Sequence, residues 1–247
     1  MIDPRLTAGA KALGLSLADA QFERLQSYIR LLEKWNRQIN LISRSDIARL
    51  IERHILDSLS ALHLLDTGPV LDVGSGAGLP GIPLAIARED LEFMLCERMQ
   101  RRTRFLHQVC MQLHLTNVQV SAEDIDGWPG EGRFKTVVAR AVAPADVLWP
   151  RIAPHLADGG SMLVYAATRE DASTSELEPE RSEQQESEAD KVNDSYVAAD
   201  IDDQRGVGAS AELDAWALAQ GLRLTVHHVD VPGSDHTHTL YQVHRDG

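Results

Sequence analysis

The feature that most constrains this chain is the run Val70-Leu71-Asp72-Val73-Gly74-Ser75-Gly76-Ala77-Gly78-Leu79-Pro80-Gly81-Ile82-Pro83. Val70–Val73 reads as a buried strand. The alternating glycines then impose a sharp turn before a helical pattern begins. Glycine accepts positive φ and lets a ligand approach the backbone. A helix opening directly after such a turn offers free N–H groups, and Pro80 or Pro83 suits its first turn. Two ligand classes use this strand–turn–helix. The dinucleotide spacing G-x-G-x-x-G fits Gly76, Gly78 and Gly81. The S-adenosylmethionine spacing G-x-G-x-G fits Gly74, Gly76 and Gly78. The second register is the better one, because Gly74 follows the strand directly and Asp72 stands just before it; the dinucleotide register starts two residues late. A tight turn with no ligand remains a third option, at the expense of chain entropy.

The rest of the chain builds a sheet around that turn. Short apolar runs at Val70–Val73, Phe93–Cys96, Val118–Val120, Val137–Ala139 and Met162–Tyr165 alternate with helical patterns at Ile82–Arg88, Arg98–Leu113 and Ala145–Leu156. Such alternation predicts a parallel sheet with helices on both faces. A helix over Leu213–Gln220 follows. Strands over Leu222–Val229 and Thr239–Val243, around Pro232-Gly233, then predict an antiparallel hairpin on the sheet edge. The fold class is therefore α/β, a Rossmann-like sheet of seven strands. Residues 67–247 form this domain, and residues 1–66 an N-terminal helical extension. In the extension, Ser16 with Asp19 is a capping-box-like start, and Phe22, Leu25, Ile29, Leu32 and Trp35 form one helical stripe. After a break at Asn40–Ser45, a second helix is predicted from Asp46 to about Leu65.

The formal net charge of −13 is misleading. Thirteen acids against three bases lie between Glu170 and Arg205, a local charge of −10 that leaves −3 for the rest. The acidity is local and does not argue against a nucleic-acid partner. Residues 170–208 show no apolar period, and an acidic, disordered insertion in a loop is expected there. Cys96 and Cys110 are the only cysteines, which argues against a disulfide framework and a Cys-based zinc site. His54 and His63 read as packing or hydrogen-bonding groups, and no metal is expected. No run approaches the ~20 apolar residues of a membrane span, and Met1–Gly14 lacks a leader pattern. A cytoplasmic protein is expected.

Other candidate site residues lie at strand ends. Glu97 closes the second strand, where an acid accepts hydrogen bonds from ribose hydroxyls in either cofactor reading. Ser121-Ala122-Glu123-Asp124 follows the third. The fourth ends in Arg140-Ala141-Val142-Ala143-Pro144. It lacks the Asn/Asp-Pro-Pro-aromatic motif common among enzymes that methylate exocyclic amines. Neither cysteine is placed for cytosine C5 chemistry, and no lysine lies between Lys34 and Lys135. A nucleophile that needs little help remains. Guanine N7 has an in-plane lone pair and no proton to remove, so orientation and proximity suffice. Arg140 would then position or stabilise charge. Arg98, Arg101, Arg102 and Arg104 crowd the start of the next helix, unfavourably for its dipole, and are candidate RNA-phosphate contacts.

Together these segments resemble the bacterial ribosomal RNA small subunit methyltransferase G family, also called glucose-inhibited division protein B. The resemblance rests on Trp35-Asn36 with Asn40-Leu41, on Arg53-His54-Ile55-Leu56-Asp57-Ser58-Leu59, on Leu71–Pro83, on Arg101-Arg102 with Phe105-Leu106, and on Arg140-Ala141. It implies an S-adenosyl-L-methionine-dependent enzyme that methylates N7 of a guanine in 16S ribosomal RNA, guanine 527 being the family site. The RNA would be met alone, in the small subunit or in an assembly intermediate, by an expected monomer. The family's cofactor positions fall here on Gly74, Leu79, Ala122, Glu123 and Arg140; Gly76 and Glu97 are added from the residue reading, and no catalytic residue is expected. Two segments depart from the family pattern. Tyr165-Ala166-Ala167-Thr168 stands where Leu-Lys-Gly is usual, and His238-Thr239-Leu240 where Arg-His-Leu is usual. The rivals are a small-molecule methyltransferase of the same fold, a non-catalytic RNA- or partner-binding module, and a nicotinamide enzyme.

Overall fold

The computed structural model describes residues 1–127, 132–166, 206–235 and 237–245. Most of the acidic insertion, and the Ala167-Thr168 part of the first departure, lie outside the described residues.

Seven strands form one sheet: β1 Val70–Val73, β2 Phe93–Cys96, β3 Val118–Ser121, β4 Phe134–Arg140, β5 Leu156–Tyr165, β6 Leu222–Asp230 and β7 Thr237–Arg245. Their order is β3-β2-β1-β4-β5-β7-β6. The first five pair in parallel. β7 runs antiparallel to both β5 and β6 and lies between them. The expected closing hairpin is present, with its second strand inserted against the parallel part. β5 begins at Leu156, six residues earlier than its apolar run suggests.

Among the described residues the α-helices are α1 Pro4–Ala12, α2 Asp19–Trp35, α3 Asp57–Ser60, α4 Gly81–Ala87, α5 Gln100–Leu113, α6 Ala145–Ile152 and α7 Gly206–Ala219. α7 starts seven residues before the expected Leu213, so the end of the 170–208 segment has helical backbone. Ala209, Ala211 and Glu212 are good helix formers. α2 begins at Ala18–Asp19 rather than at Ser16. The Ala18 N–H donates to Gln21 Oε1 at 2.8 Å, and Gln21 Nε2 reaches the carbonyls of Ile86 and Ala87. One side chain thus starts α2 and ties it to the end of α4.

The second predicted helix is the main departure. Asp46 to Leu65 is a 3-10 turn at Ile47–Arg49, a π-helical segment at Ile51–Leu56, the short α3, and a further 3-10 turn at Ala61–Leu64. The apolar period is real, since Leu50, Ile51, Ile55, Leu56 and Leu59 are all buried. Asp46, His54, Asp57 and Ser58 are buried with them, and satisfying those polar groups distorts the helix. Such π segments tend to occur at functional sites.

The extension packs on one face of the sheet. Leu25, Tyr28, Ile29 and Leu32 of α2 join Phe105, Leu106 and Val109 of α5 and Leu95 of β2 in one apolar cluster. Trp35 and Phe105 meet edge to face, with ring centroids 5.7 Å apart, a contact worth about 0.5–1.5 kcal/mol beyond burial. On the other face, α6 residues Leu148, Trp149 and Ile152 pack with Ala217 of α7 over Val137, Met162 and Val243.

Candidate functional site

Strand register gathers the expected site residues on one edge. Val73 pairs with Cys96 and with Ala139, and Cys96 pairs with Ser121. The next residue of each strand is Gly74, Glu97, Arg140 and Ala122. Gly74, Glu97 and Ala122 leave the sheet there and Arg140 is the last residue of β4, so all four stand side by side at the carboxyl edge, where open α/β sheets bind ligands. Glu123 follows Ala122, exposed, and its carbonyl accepts a hydrogen bond from Cys96 Sγ at 2.9 Å.

The glycine turn is held by its own backbone and by two acids. Gly74 and Ser75 N–H donate to the Cys96 carbonyl at 2.9 and 3.1 Å. Ser75 Oγ donates to the Asp72 carbonyl at 2.9 Å, and Tyr28 OH to the Ala77 carbonyl at 2.6 Å. Glu97, 4% exposed, accepts from Gly76 N–H at 2.8 Å through Oε2 and from Met99 N–H at 2.8 Å through Oε1. It thus clamps the turn and sits at the start of α5, where a negative charge favours the helix dipole. Each carboxylate oxygen keeps a second acceptor direction. Asp72 Oδ2 accepts from Gly81 N–H at 3.0 Å, while its buried Oδ1 has no partner. Burial pushes the Asp72 carboxyl up to about 7, against the Gly81 N–H.

Two glycines differ in what surrounds them. Gly78 has φ +86, and a Cβ there would meet Ile82 Cγ1 at 2.6 Å and Leu106 Cδ2 at 2.9 Å. Its lack of a side chain serves the protein's own packing. Gly76 has φ +54, and the nearest atoms to a Cβ would be the Gly74 carbonyl oxygen at 3.8 Å and Arg102 Nη1 at 4.0 Å. That side of the turn is open, and the bare backbone there suits a ligand beside Glu97. Gly81, the third glycine of the dinucleotide register, lies in α4 with its N–H committed to Asp72. The Leu79–Pro80 peptide just before α4 is cis, and Pro83 is in the first turn of α4. Leu79 is buried in the cluster beneath the turn.

The four arginines are not equivalent. α5 begins at Gln100, so Arg98 lies in the connection before it rather than in the helix. Arg98, Arg101 and Arg104 are exposed. Arg102 is half-buried, with Nη1 3.9 Å from Glu97 Oε2. Neither cysteine is a ready nucleophile: burial, with nearby carboxylates, pushes the Cys96 thiol up to about 12, and burial pushes Cys110 up to about 11. Among the described residues no group of His, Cys, Asp and Glu is placed to hold a metal, and no helix is long and apolar enough to cross a membrane.

Sequence reasoning missed what surrounds Arg140. Its Nη1 donates to Asp57 Oδ2 at 2.9 Å and to the Arg53 carbonyl at 3.3 Å, and its Nη2 bonds to His54 Nδ1. Burial first, then the charge of Arg140, lowers the His54 imidazole, which keeps Nδ1 free to accept. Its Nε2 stands 3.6 Å from Asp46 Oδ2 without a hydrogen bond. Asp46, paired with Arg53 at 2.6 Å, is held down to about 2, first by His54 and then, against burial, by Ser43 and Arg53. Burial works to raise the Asp57 carboxyl, but the hydrogen bond from His238 and the charge of Arg140 outweigh it and hold it below the usual range. Arg53-His54 and Asp57 were visible only as a family-like segment; nothing local linked them to Arg140 or His238.

A family model described as rRNA small subunit methyltransferase G matches residues 21–200. A ribosomal RNA small subunit methyltransferase G from Serratia proteamaculans is 40% identical over 179 residues, 71% of this chain and 85% of that protein. One from Nitrosococcus oceani is 45% identical over 138 residues, 56% of this chain and 64% of that protein, so the match spans under two thirds of its length. Among solved structures, a SAM-dependent methyltransferase from Aquifex aeolicus is 13% identical with a TM-score of 0.52, covering 83% of this chain and all of that one. The glycopeptide N-methyltransferase MtfA, complexed with S-adenosyl-L-methionine, is 15% identical with a TM-score of 0.53, covering 78% and 88%. At these identities the structural likeness speaks to the fold.

Proposed function

The chain belongs to the rRNA small subunit methyltransferase G family, and on that premise we propose that it methylates N7 of a guanine in 16S ribosomal RNA with S-adenosyl-L-methionine as donor. The observation that carries the reading is the placement of Gly74, Glu97 and Ala122 one residue beyond the ends of β1, β2 and β3 beside Arg140, the last residue of β4, on the edge where the Gly76 backbone is bare. When bound, that donor offers a methyl on a positively charged sulfur, so the N7 lone pair forms the new C–N bond as the C–S bond breaks, with no proton to remove. The chain's own task is to bind and orient.

In this reading Glu97 keeps acceptor directions for ribose hydroxyls while it clamps Gly76. Gly74, Gly76 and Leu79 shape the donor's bed, and Ala122 and Glu123 border the adenine. Arg140 brings positive charge to the edge. The RNA backbone meets Arg98, Arg101, Arg102 and Arg104, with exposed Lys34 and Arg37 flanking Trp35, whose ring meets Phe105 of α5. Residues 1–66 serve as an extension of this RNA surface, and the chain acts as a cytoplasmic monomer.

The test is to incubate small subunits and free 16S RNA from a strain lacking this protein with the chain and methyl-labelled donor, then map the label. Label on N7 of one guanine supports the reading. Label on another atom or another molecule, or none from either substrate, contradicts it.

A further inference from the structure

Arg140 ends β4 on the edge that carries Gly74, Glu97 and Ala122, yet its orientation is set from elsewhere. A guanidinium has five N–H groups in a rigid plane. Two on Nη1 go to Asp57 Oδ2 and the Arg53 carbonyl, and one on Nη2 goes to His54 Nδ1. One N–H on Nη2 and the one on Nε remain for a ligand. The π-helical turn makes this possible, since it presents the Arg53 carbonyl, His54 and Asp57 together. Asp57 is shared: its Oδ1 accepts from His238 Nδ1 at 2.7 Å, and His238 Nε2 is 2.8 Å from Ser234 Oγ. The side chains of Asp57, His238 and Arg140 are only 7%, 10% and 16% exposed. A pair this buried recovers little net stability, because desolvation offsets its attraction. What it does well is fix geometry.

We propose that Asp57 and His238 are positioning residues for Arg140, so that the start of β7 sets how that guanidinium meets the methyl donor. The proposal rests on the reading that the donor binds at this edge. His238 aims the Asp57 carboxylate; Asp57 and His54 aim Arg140; and the two uncommitted N–H groups of Arg140 then face one way.

The experiment is a double-mutant cycle read by calorimetric titration of S-adenosyl-L-methionine into the full chain, with thermal midpoints taken alongside. His238→Ala is expected to weaken donor binding about tenfold, the scale of a lost charge-assisted hydrogen bond. The same substitution in Arg140→Ala is expected to change affinity by less than about twofold, the scatter of uncoupled pairs. His238→Asn, whose side-chain amide N–H stands at the place of Nδ1 and still donates to Asp57, is expected to restore near-native affinity. Asp57→Asn, almost unchanged in shape, gives a second arm that must show the same dependence on Arg140 should His238→Ala fail to fold. Equal weakening with and without Arg140, or none in either arm, overturns the proposal and leaves the functional reading standing. No donor binding by the wild-type chain overturns both.

Discussion

Replacing two glycines of one turn by alanine separates ligand space from protein space. Gly78→Ala places a methyl 2.6 Å from Ile82 Cγ1, 2.9 Å from Leu106 Cδ2 and 3.3 Å from Tyr28 OH, at φ +86. Left-handed backbone costs a non-glycine residue about 1–2 kcal/mol, and overpacking about 1–3 kcal/mol more. The sum of about 2–5 kcal/mol lowers the thermal midpoint by roughly 4–20 °C in a domain of this size. Gly76→Ala carries only the strain, about 1–2 kcal/mol, because no atom lies within 3.8 Å of the new methyl. Alanine tolerates such backbone here, as Ala141 at φ 54 shows. The Gly76 methyl instead enters the space beside Arg102 and Glu97. If the donor lies against this backbone, an overlap of about 1–3 kcal/mol weakens binding about 5- to 150-fold. Calorimetric titration with S-adenosyl-L-methionine and thermal melts of both variants decide the matter. Native donor affinity in Gly76→Ala, or a larger stability loss there than in Gly78→Ala, refutes the division of roles.

Other expectations follow from single groups. Asp72 has a folded-state pKa near 7, above its ordinary 3.8. The folded state therefore holds a proton that the unfolded state releases, and stability falls as pH rises from about 4 to 7, by up to about 4 kcal/mol; urea melts of Asp72→Asn should lack that part of the decline. Tyr28→Phe removes the buried 2.6 Å bond to the Ala77 carbonyl, and should cost about 1–3 kcal/mol in denaturant melts. Arg101→Ala and Arg104→Ala, both exposed, should leave the melt unchanged, and each should weaken RNA binding and lower the magnitude of the salt slope by about 0.7. Deleting Glu170–Val207, whose composition offers no apolar face, should leave methyl transfer largely intact in the labelled assay; a large loss would assign that segment a role.

What could be read from the sequence was local. The strand, glycine turn and helix at Val70–Ala87 are legible because each obeys short-range rules of burial, φ and N–H supply. The strand ends then place Gly74, Glu97, Ala122 and Arg140 together once a parallel sheet is assumed. The broken helix at Asp46–Leu65 was not legible, because its apolar period is that of one amphipathic helix. What breaks it are bonds to partners 83 and 86 residues away at Arg140, and to His238. A sequence pattern shows which faces are apolar; it does not show which buried carboxylate serves two partners. The same limit hid the fact that Glu97 clamps the turn, since an acid at a strand end looks alike whether it faces a ribose or a backbone N–H.

The most direct measurement is a crystal structure of the chain grown with S-adenosyl-L-methionine. The account predicts the donor lying along Gly74–Gly78, its ribose on Glu97 and its methyl turned toward the edge beside Arg140. A donor seated away from that turn, or a turn left empty in the donor and filled by a nicotinamide nucleotide in a parallel soak, would contradict it.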